Sequence, residues 1–202
     1  MIALIDYGSG NIRSVTKALQ HEGAEVKLCC DARELEKADA VVLPGVGAFG
    51  DAVKNLQSRG LFEPLREWLA ADRPFLGICL GYQLLFESSE ESPGVEGFGV
   101  FKGRVQRFAS NGLKIPQIGW NALELSQPQH MLWRGLPEKA FVYFVHSFFP
   151  VPEDESVITS KADYGELFAA SVGRGRVAAV QFHPEKSQAT GLAMLRNFLA
   201  TL

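Results

Sequence analysis

A thiol, an imidazole and a carboxylate occur in this sequence in settings that suit acyl transfer. Cys79 ends the apolar run that starts at Pro74, and glycines stand two residues to either side of it, Gly77 and Gly81. A strand that turns sharply into a helix while pushing one side chain into a cleft crowds those two positions. Glycine at both removes the clash, which is the steric logic of a nucleophile elbow. Residues 82–87 read as the start of a helix, so the dipole at its N-terminus would favour thiolate over thiol. G-x-C-x-G is short, however, and a free cysteine at a strand end is as often a small buried hydrophobe. A partner base decides between the two.

The run Val177 to Phe182 delivers His183-Pro184-Glu185. A histidine at a strand end can take the thiol proton and later give it to a leaving amine, while a carboxylate orients the ring. Pro184 fixes its own φ and biases His183 away from the helical region, which stiffens the segment. Alone, such a tripeptide is more often a strand-ending turn. Joined to an elbow cysteine it makes a Cys-His-Glu triad the better reading. His146, within an alternating apolar strand, reads as structural, and His21 and His130 as surface residues.

The elements that must position these groups follow from the rest of the chain. At 202 residues the sequence suits one domain spanning 1–202. It is 47% hydrophobic and 21% charged, with a net charge of −3, so the basic footprint of a nucleic-acid binder is missing. No run approaches the roughly 20 apolar residues that span a bilayer, and no signal peptide opens the chain, so a cytoplasmic protein is expected. The three cysteines form no disulfide framework. Cys29 and Cys30 read as packing, no cysteine or histidine spacing matches a metal ligand set, and no cofactor is expected.

Apolar runs at 2–6, 25–29, 40–43 and 74–79 alternate with helical patterns at about 12–21, 52–57 and 61–70. That alternation predicts βαβ units and an α/β fold with a mostly parallel central sheet covered by helices on both faces. Ligands gather at the carboxyl ends of such strands. Those ends are glycine-rich here, at residues 8–10, 44–47 and 77–81. Asn11 reads as the cap of the first helix. Further runs at 97–108, 141–149, 157–160, 167–172 and 177–182 predict antiparallel strands added to the sheet. A last helix is expected over 191–202.

Three segments taken together, Gly-Ile-Cys-Leu-Gly-Tyr-Gln at 77–83, Pro-Gly-Val-Gly at 44–47 and His-Pro-Glu at 183–185, resemble the signature segments of class I glutamine amidotransferases. Order and spacing agree, and the resemblance covers the whole chain. Within the family, the opening 5–12 and the segments 116–121 and 143–148 are similar to glutaminase subunits that serve imidazole glycerol phosphate synthases. Gln117 departs from that pattern, in which other polar residues such as histidine occur.

The resemblance implies that Cys79 attacks the glutamine side-chain amide, that His183 acts as base and then acid, and that Glu185 orients it. The backbone N–H groups of Leu80 and Val46 would form the oxyanion hole, usually the largest catalytic contribution. Gly45, Gly47, Gln83, Ser147 and Phe148 would contact the substrate, with Glu87 a candidate for its amino group. The 44–47 loop is also expected to switch the enzyme on when a partner signals. Ammonia must be handed over in a dry passage, so a partner is required. The resemblance makes it a cyclase subunit, a (βα)₈ barrel forming a heterodimer, with Trp120, Asn121, Tyr143 and Lys186 on the docking face. Two other readings stay open. The glutaminase could serve another synthase, of anthranilate, aminodeoxychorismate, pyridoxal phosphate or guanylate. From a different class, the fold could use Cys79 as a redox sensor, which would not need both His183 and Glu185.

Overall fold

The computed structural model of the chain describes residues 1–109 and 112–202. β1 (Ile2–Ile5), α1 (Ile12–His21), β2 (Val26–Cys29), β3 (Ala40–Gly45), α2 (Phe49–Ser58), α3 (Phe62–Ala70) and β4 (Phe75–Cys79) form the alternating first half. α4 (Leu80–Gln83) is one turn, followed by β5 (Phe86–Ser89) and β6 (Phe101–Arg107). Then come β7 (Gln117–Leu125), β8 (Ala140–His146), β9 (Phe148–Pro152), β10 (Ile158–Asp163), β11 (Leu167–Arg174), β12 (Val177–Val180) and α5 (Gln188–Leu199).

Among the described residues the main sheet runs β2-β1-β3-β4-β12-β11-β10-β7-β8, and a smaller one runs β5-β6-β9. β2, β1, β3, β4 and β12 are mutually parallel, and the strands beyond β12 are antiparallel. Every residue of β1, β3, β4 and β12 is buried, as expected of parallel strands covered on both faces. Alternation sends Ala3 and Ile5 into one core with Ala52 and Leu56 of α2 and Leu65 and Trp68 of α3. Ile2 and Leu4 enter a second core with Val15 and Leu19 of α1 and Leu195 and Phe198 of α5. The helices therefore lie on both faces, and the parallel strands β3, β4 and β12 end side by side.

The structure corrects the helix expected over 82–87. Leu80 through Phe86 are all buried, whereas a helix lying on a surface buries only one stripe. The carbonyls that would continue the helix are taken by another segment. Phe98 N–H donates to Leu84 O at 2.8 Å, Phe101 N–H to Leu85 O at 3.1 Å and Gly97 N–H to Glu87 O at 3.0 Å. The chain therefore leaves α4 after one turn and becomes β5. β7 was not expected as a strand: Gly119 and Asn121 interrupt its apolar pattern, yet it pairs with β8 from Gln117↔His146 to Leu123↔Ala140. No helix among the described residues is long and apolar enough to cross a membrane.

Candidate active site

Cys79 closes β4 with φ 55° and ψ −105°, a backbone conformation that costs a non-glycine residue about 1–3 kcal/mol. The flanking glycines explain how the turn is accommodated. A Cβ on Gly77 would lie 2.8 Å from the Gly81 carbonyl oxygen, and one on Gly81 would run into the carbonyl of Leu43. The elbow is thus wedged against β3, whose register pairs Gly45 with Cys79. Because α4 has a single turn, it aligns too few peptides to supply the macrodipole expected to favour thiolate. The sulfur instead accepts a hydrogen bond from Gln181 Nε2 at 3.7 Å.

His183 and Glu185 lie on the turn after β12, both with side chains almost wholly buried, and Nδ1 meets Glu185 Oε1 at 2.7 Å. Burial opposes charge on the ring, but the Cys79 sulfur and the Glu185 carboxylate outweigh it and raise the His183 pKa to about 10. Nε2, the other ring nitrogen, is buried and has no hydrogen-bond partner among the described residues. Ser187 ties the turn to β8: its hydroxyl donates to His183 O at 2.6 Å and accepts from Tyr143 N–H at 2.9 Å. The Asn11 side chain does not cap α1. Its amide reaches across the fold and donates to Glu185 Oε1 at 3.1 Å, while its backbone carbonyl accepts from Ser14 and Val15 N–H.

Cys79 opens into a cavity of about 290 Å³. Val46, Gly47, Leu80, Gln83, Ser147 and Phe148 also line it. Gly45 sits behind the lining, where a Cβ would press on Leu80 Cβ at 2.8 Å and the Gly81 N–H at 3.2 Å. Glu87 is outside the cavity: it belongs to β5, not a helix, and its carboxylate accepts from Gly103 N–H at 2.9 Å. The acid that lines the cavity is Glu91, held by Phe49 N–H at 2.8 Å. Its place in the lining depends on the chain leaving α4 after one turn, which its local sequence does not signal.

His146 is buried in the cavity wall, and burial pulls its pKa down to about 4. Its Nδ1 lies 2.9 Å from the Phe148 carbonyl, which only accepts, so Nδ1 carries the ring proton. Nε2 meets Gln117 Oε1 at 2.9 Å, and with the proton on Nδ1 a neutral ring requires that amide to be turned so that its NH₂ faces Nε2. His130 is not the surface residue expected. It packs against Gly173, its Nδ1 accepts from Leu132 N–H at 3.4 Å, and burial lowers its pKa to about 4.

Beside the triad turn, Trp120 is 47% exposed and stands opposite Tyr143, with ring centroids 6.1 Å apart in an edge-on arrangement. The Lys186 ammonium lies 5.8 Å above the Tyr143 ring. Asn121 does not join them. Adjacent strand residues face opposite sides of a sheet, and Asn121 pairs with the buried Val142. Its amide donates to Asp163 O at 2.7 Å and its oxygen accepts from Ala122 N–H at 2.8 Å.

The sequence profile of the family described as glutamine amidotransferase class-I matches residues 3–202. The chain is 50% identical over 202 residues to the imidazole glycerol phosphate synthase subunit HisH of Trichodesmium erythraeum (strain IMS101), covering 98% of this chain and 94% of that one. It is 53% identical over 196 residues to the HisH subunit of Aquifex aeolicus (strain VF5), covering 96% and 94%. Among solved structures, a crystal structure of a glutamine amidotransferase superposes with a TM-score of 0.78 at 22% identity, covering 98% and 97%. The structure of PurLQS from Thermotoga maritima does so with a TM-score of 0.78 at 19% identity, covering 99% and 97%. At those identities the solved structures establish the fold.

Proposed function

This chain belongs to the class I glutamine amidotransferases, and on that premise we propose how its residues divide the work. It acts as the glutaminase subunit of an imidazole glycerol phosphate synthase, in histidine biosynthesis. One observation carries the division of roles. The strained Cys79 opens into a cavity of amino-acid size, and the buried His183, 2.7 Å from Glu185, has its pKa raised by the Cys79 sulfur and the Glu185 carboxylate. Residues 1–202 are read as one glutaminase domain.

Cys79 transfers its proton to His183 and attacks the glutamine side-chain carbonyl carbon. Negative charge then builds on the carbonyl oxygen, where the N–H groups of Leu80 and Val46, both of which line the cavity, are the proposed donors. His183 gives its proton to the departing nitrogen, ammonia leaves, and a γ-glutamyl thioester remains on sulfur. Water, deprotonated by the same ring, hydrolyses the thioester to glutamate and restores the thiol. The high pKa of His183 suits holding the proton between these steps, and Glu185, itself held by Asn11, keeps Nε2 toward the reaction.

The α-amino group of glutamine requires an acceptor, and Glu91 lines the cavity as a carboxylate. Around Ser147 and Phe148 both carbonyls are already engaged, by Phe108 N–H and by Gln83 with His146. That segment therefore meets substrate through N–H groups, which suit the α-carboxylate. Gln83 borders the same space, and Gly47, with φ 98°, lets backbone approach closely.

The proposed partner is a (βα)₈-barrel cyclase in a heterodimer, which uses the ammonia to make imidazole glycerol phosphate and an aminoimidazole ribotide. Trp120, Tyr143 and Lys186, grouped next to the triad turn, are the docking face, and Asn121 supports it from the other side of the sheet. A cytoplasmic location goes with this biosynthetic role. The 44–47 loop is the switch: isolated chain turns over little glutamine and gains activity when the liganded cyclase docks. Cys79→Ala should abolish ammonia release from glutamine while the complex still makes product from added ammonium. Retained glutaminase activity in that variant would remove the nucleophile assignment, and high basal turnover of isolated wild-type chain would remove the switch.

A further inference from the structure

A chain of buried amides ends on the nucleophile. Gln83 Nε2 donates to the Phe148 carbonyl at 3.0 Å and to Gln181 Oε1 at 3.2 Å. Gln181 Nε2 then lies 3.7 Å from Cys79 Sγ. Gln181 is fully buried and Gln83 nearly so, at 5% exposed. An amide can face either way, but a backbone carbonyl only accepts, and this fixes every member in turn. The Phe148 oxygen demands the NH₂ of Gln83. That NH₂ demands the oxygen of Gln181, which leaves the NH₂ of Gln181 facing sulfur. His146 Nδ1–H donates to the same Phe148 carbonyl at 2.9 Å and reinforces its role as the acceptor that sets the direction.

We propose that Gln181 is a sulfur-stabilising residue of the active site: its amide, locked by Gln83 and the Phe148 carbonyl, donates a hydrogen bond to Cys79 and favours the anionic sulfur. It does the work that a helix dipole does at longer elbows, and α4 is only one turn long. A donor to an anionic acceptor is stronger than one to a neutral group, so the bond tightens as the thiol loses its proton. The same chain joins the segment read above as binding the substrate carboxylate to the reactivity of the nucleophile. The inference deepens that reading of the site and rests on it.

The experiment is alkylation of Cys79 by iodoacetamide at a series of pH values, with the Cys79 peptide quantified by mass spectrometry. Exposed Cys30 serves as an internal reference. Gln181→Met removes the donor at similar volume and should slow Cys79 alkylation at pH 7 about twelve-fold, the weak end for a hydrogen bond to a charged group. Gln181→Glu keeps the shape but replaces the donor with a carboxylate, and should slow it further than Gln181→Met does. Both deficits should narrow as pH rises. In the complex, kcat for glutamine hydrolysis should fall more than KM changes. Wild-type alkylation rates in either folded variant would overturn the proposal. The assay needs no glutamine, so a wild-type protein that alkylates as expected but releases no ammonia with its partner counts against the proposed function alone.

Discussion

Replacing Cys79 by glycine should give a more stable protein than replacing it by alanine, the reverse of the usual order. Both variants lose the sulfur, its contact with Gln181 and its influence on His183, so their difference isolates the backbone. At φ 55° and ψ −105° a residue with a Cβ is held outside the regions that L-amino acids favour. The left-handed side of the map costs such a residue about 1–2 kcal/mol, and a ψ this far from the left-handed helical well argues for the upper end. Glycine escapes that cost but gives the unfolded chain more freedom, which returns about 0.4–1 kcal/mol. The balance favours glycine by about 1 kcal/mol, whereas in an ordinary strand or helix interior alanine wins by about 0.5–1 kcal/mol.

Equilibrium urea unfolding followed by circular dichroism would measure it, with equal slopes confirming that only stability has changed. For a chain of this size the same difference is a shift of about 2–4 °C in Tm. If Cys79→Ala proves the more stable of the two by its usual margin, the elbow carries no strain. The conformation would then be one the chain adopts freely rather than one imposed by packing of Gly81 against Leu43 and of Gly77 against Gly81.

Trp120→Ala should lower affinity for the cyclase at least ten-fold while moving Tm little, because the indole is 47% exposed and its edge-on contact with Tyr143 is worth about 0.5–1.5 kcal/mol. Titration calorimetry and thermal melts would show it, and the opposite ranking would return Trp120 to a packing role. Between pH 4 and about 9, below the range in which the buried Cys29, Tyr7 and Tyr82 add their own alkaline loss, the pH dependence of stability should be dominated by three histidines. His130 and His146, with pKa values lowered to about 4, stay neutral in the folded chain while the unfolded chain protonates, so each removes about 1.4 kcal/mol per pH unit as pH falls from 6.5 toward 4. His183, raised to about 10, contributes stability that is fully present below pH 6.5 and is lost as pH rises through 10. Urea unfolding across pH should therefore peak near neutrality, and His183→Gln should flatten the alkaline limb; an unchanged alkaline limb would remove the charged His183.

The parts of the site legible in the sequence are those whose logic is local. The elbow announces itself because the clash it avoids involves residues two positions away, and His183 by its place at a strand end; that Glu185 reaches the ring does not follow from spacing and is seen only in the fold, at 2.7 Å. The alternation of apolar runs with helical patterns likewise carries the sheet through β4. Legibility fails where a partner distant in sequence decides the outcome. Residues 82–87 have helical composition, but the backbone of residues 97–101 claims their carbonyls, and that one event moves Glu87 out of the site and brings Glu91 in. Asn121 is expected on the docking face with Trp120, but the strand period sends neighbours to opposite faces.

Asn11, Gln117 and Gln181 show the same limit in another form. Each is an amide whose own segment offers an innocuous role: a helix cap, a polar position in a strand, a residue ahead of a histidine. Each acquires its role from a group far away in the chain, Asn11 from Glu185, Gln117 from His146, and Gln181 from Cys79 and Gln83. An amide is suited to such positions because it carries a donor and an acceptor without charge, so it can be buried where a carboxylate or ammonium would be too costly to desolvate. What the elbow motif leaves unspecified is therefore supplied by neutral side chains. In the proposed function the triad says which atom reacts, and these amides hold the reacting groups oriented and hydrogen-bonded.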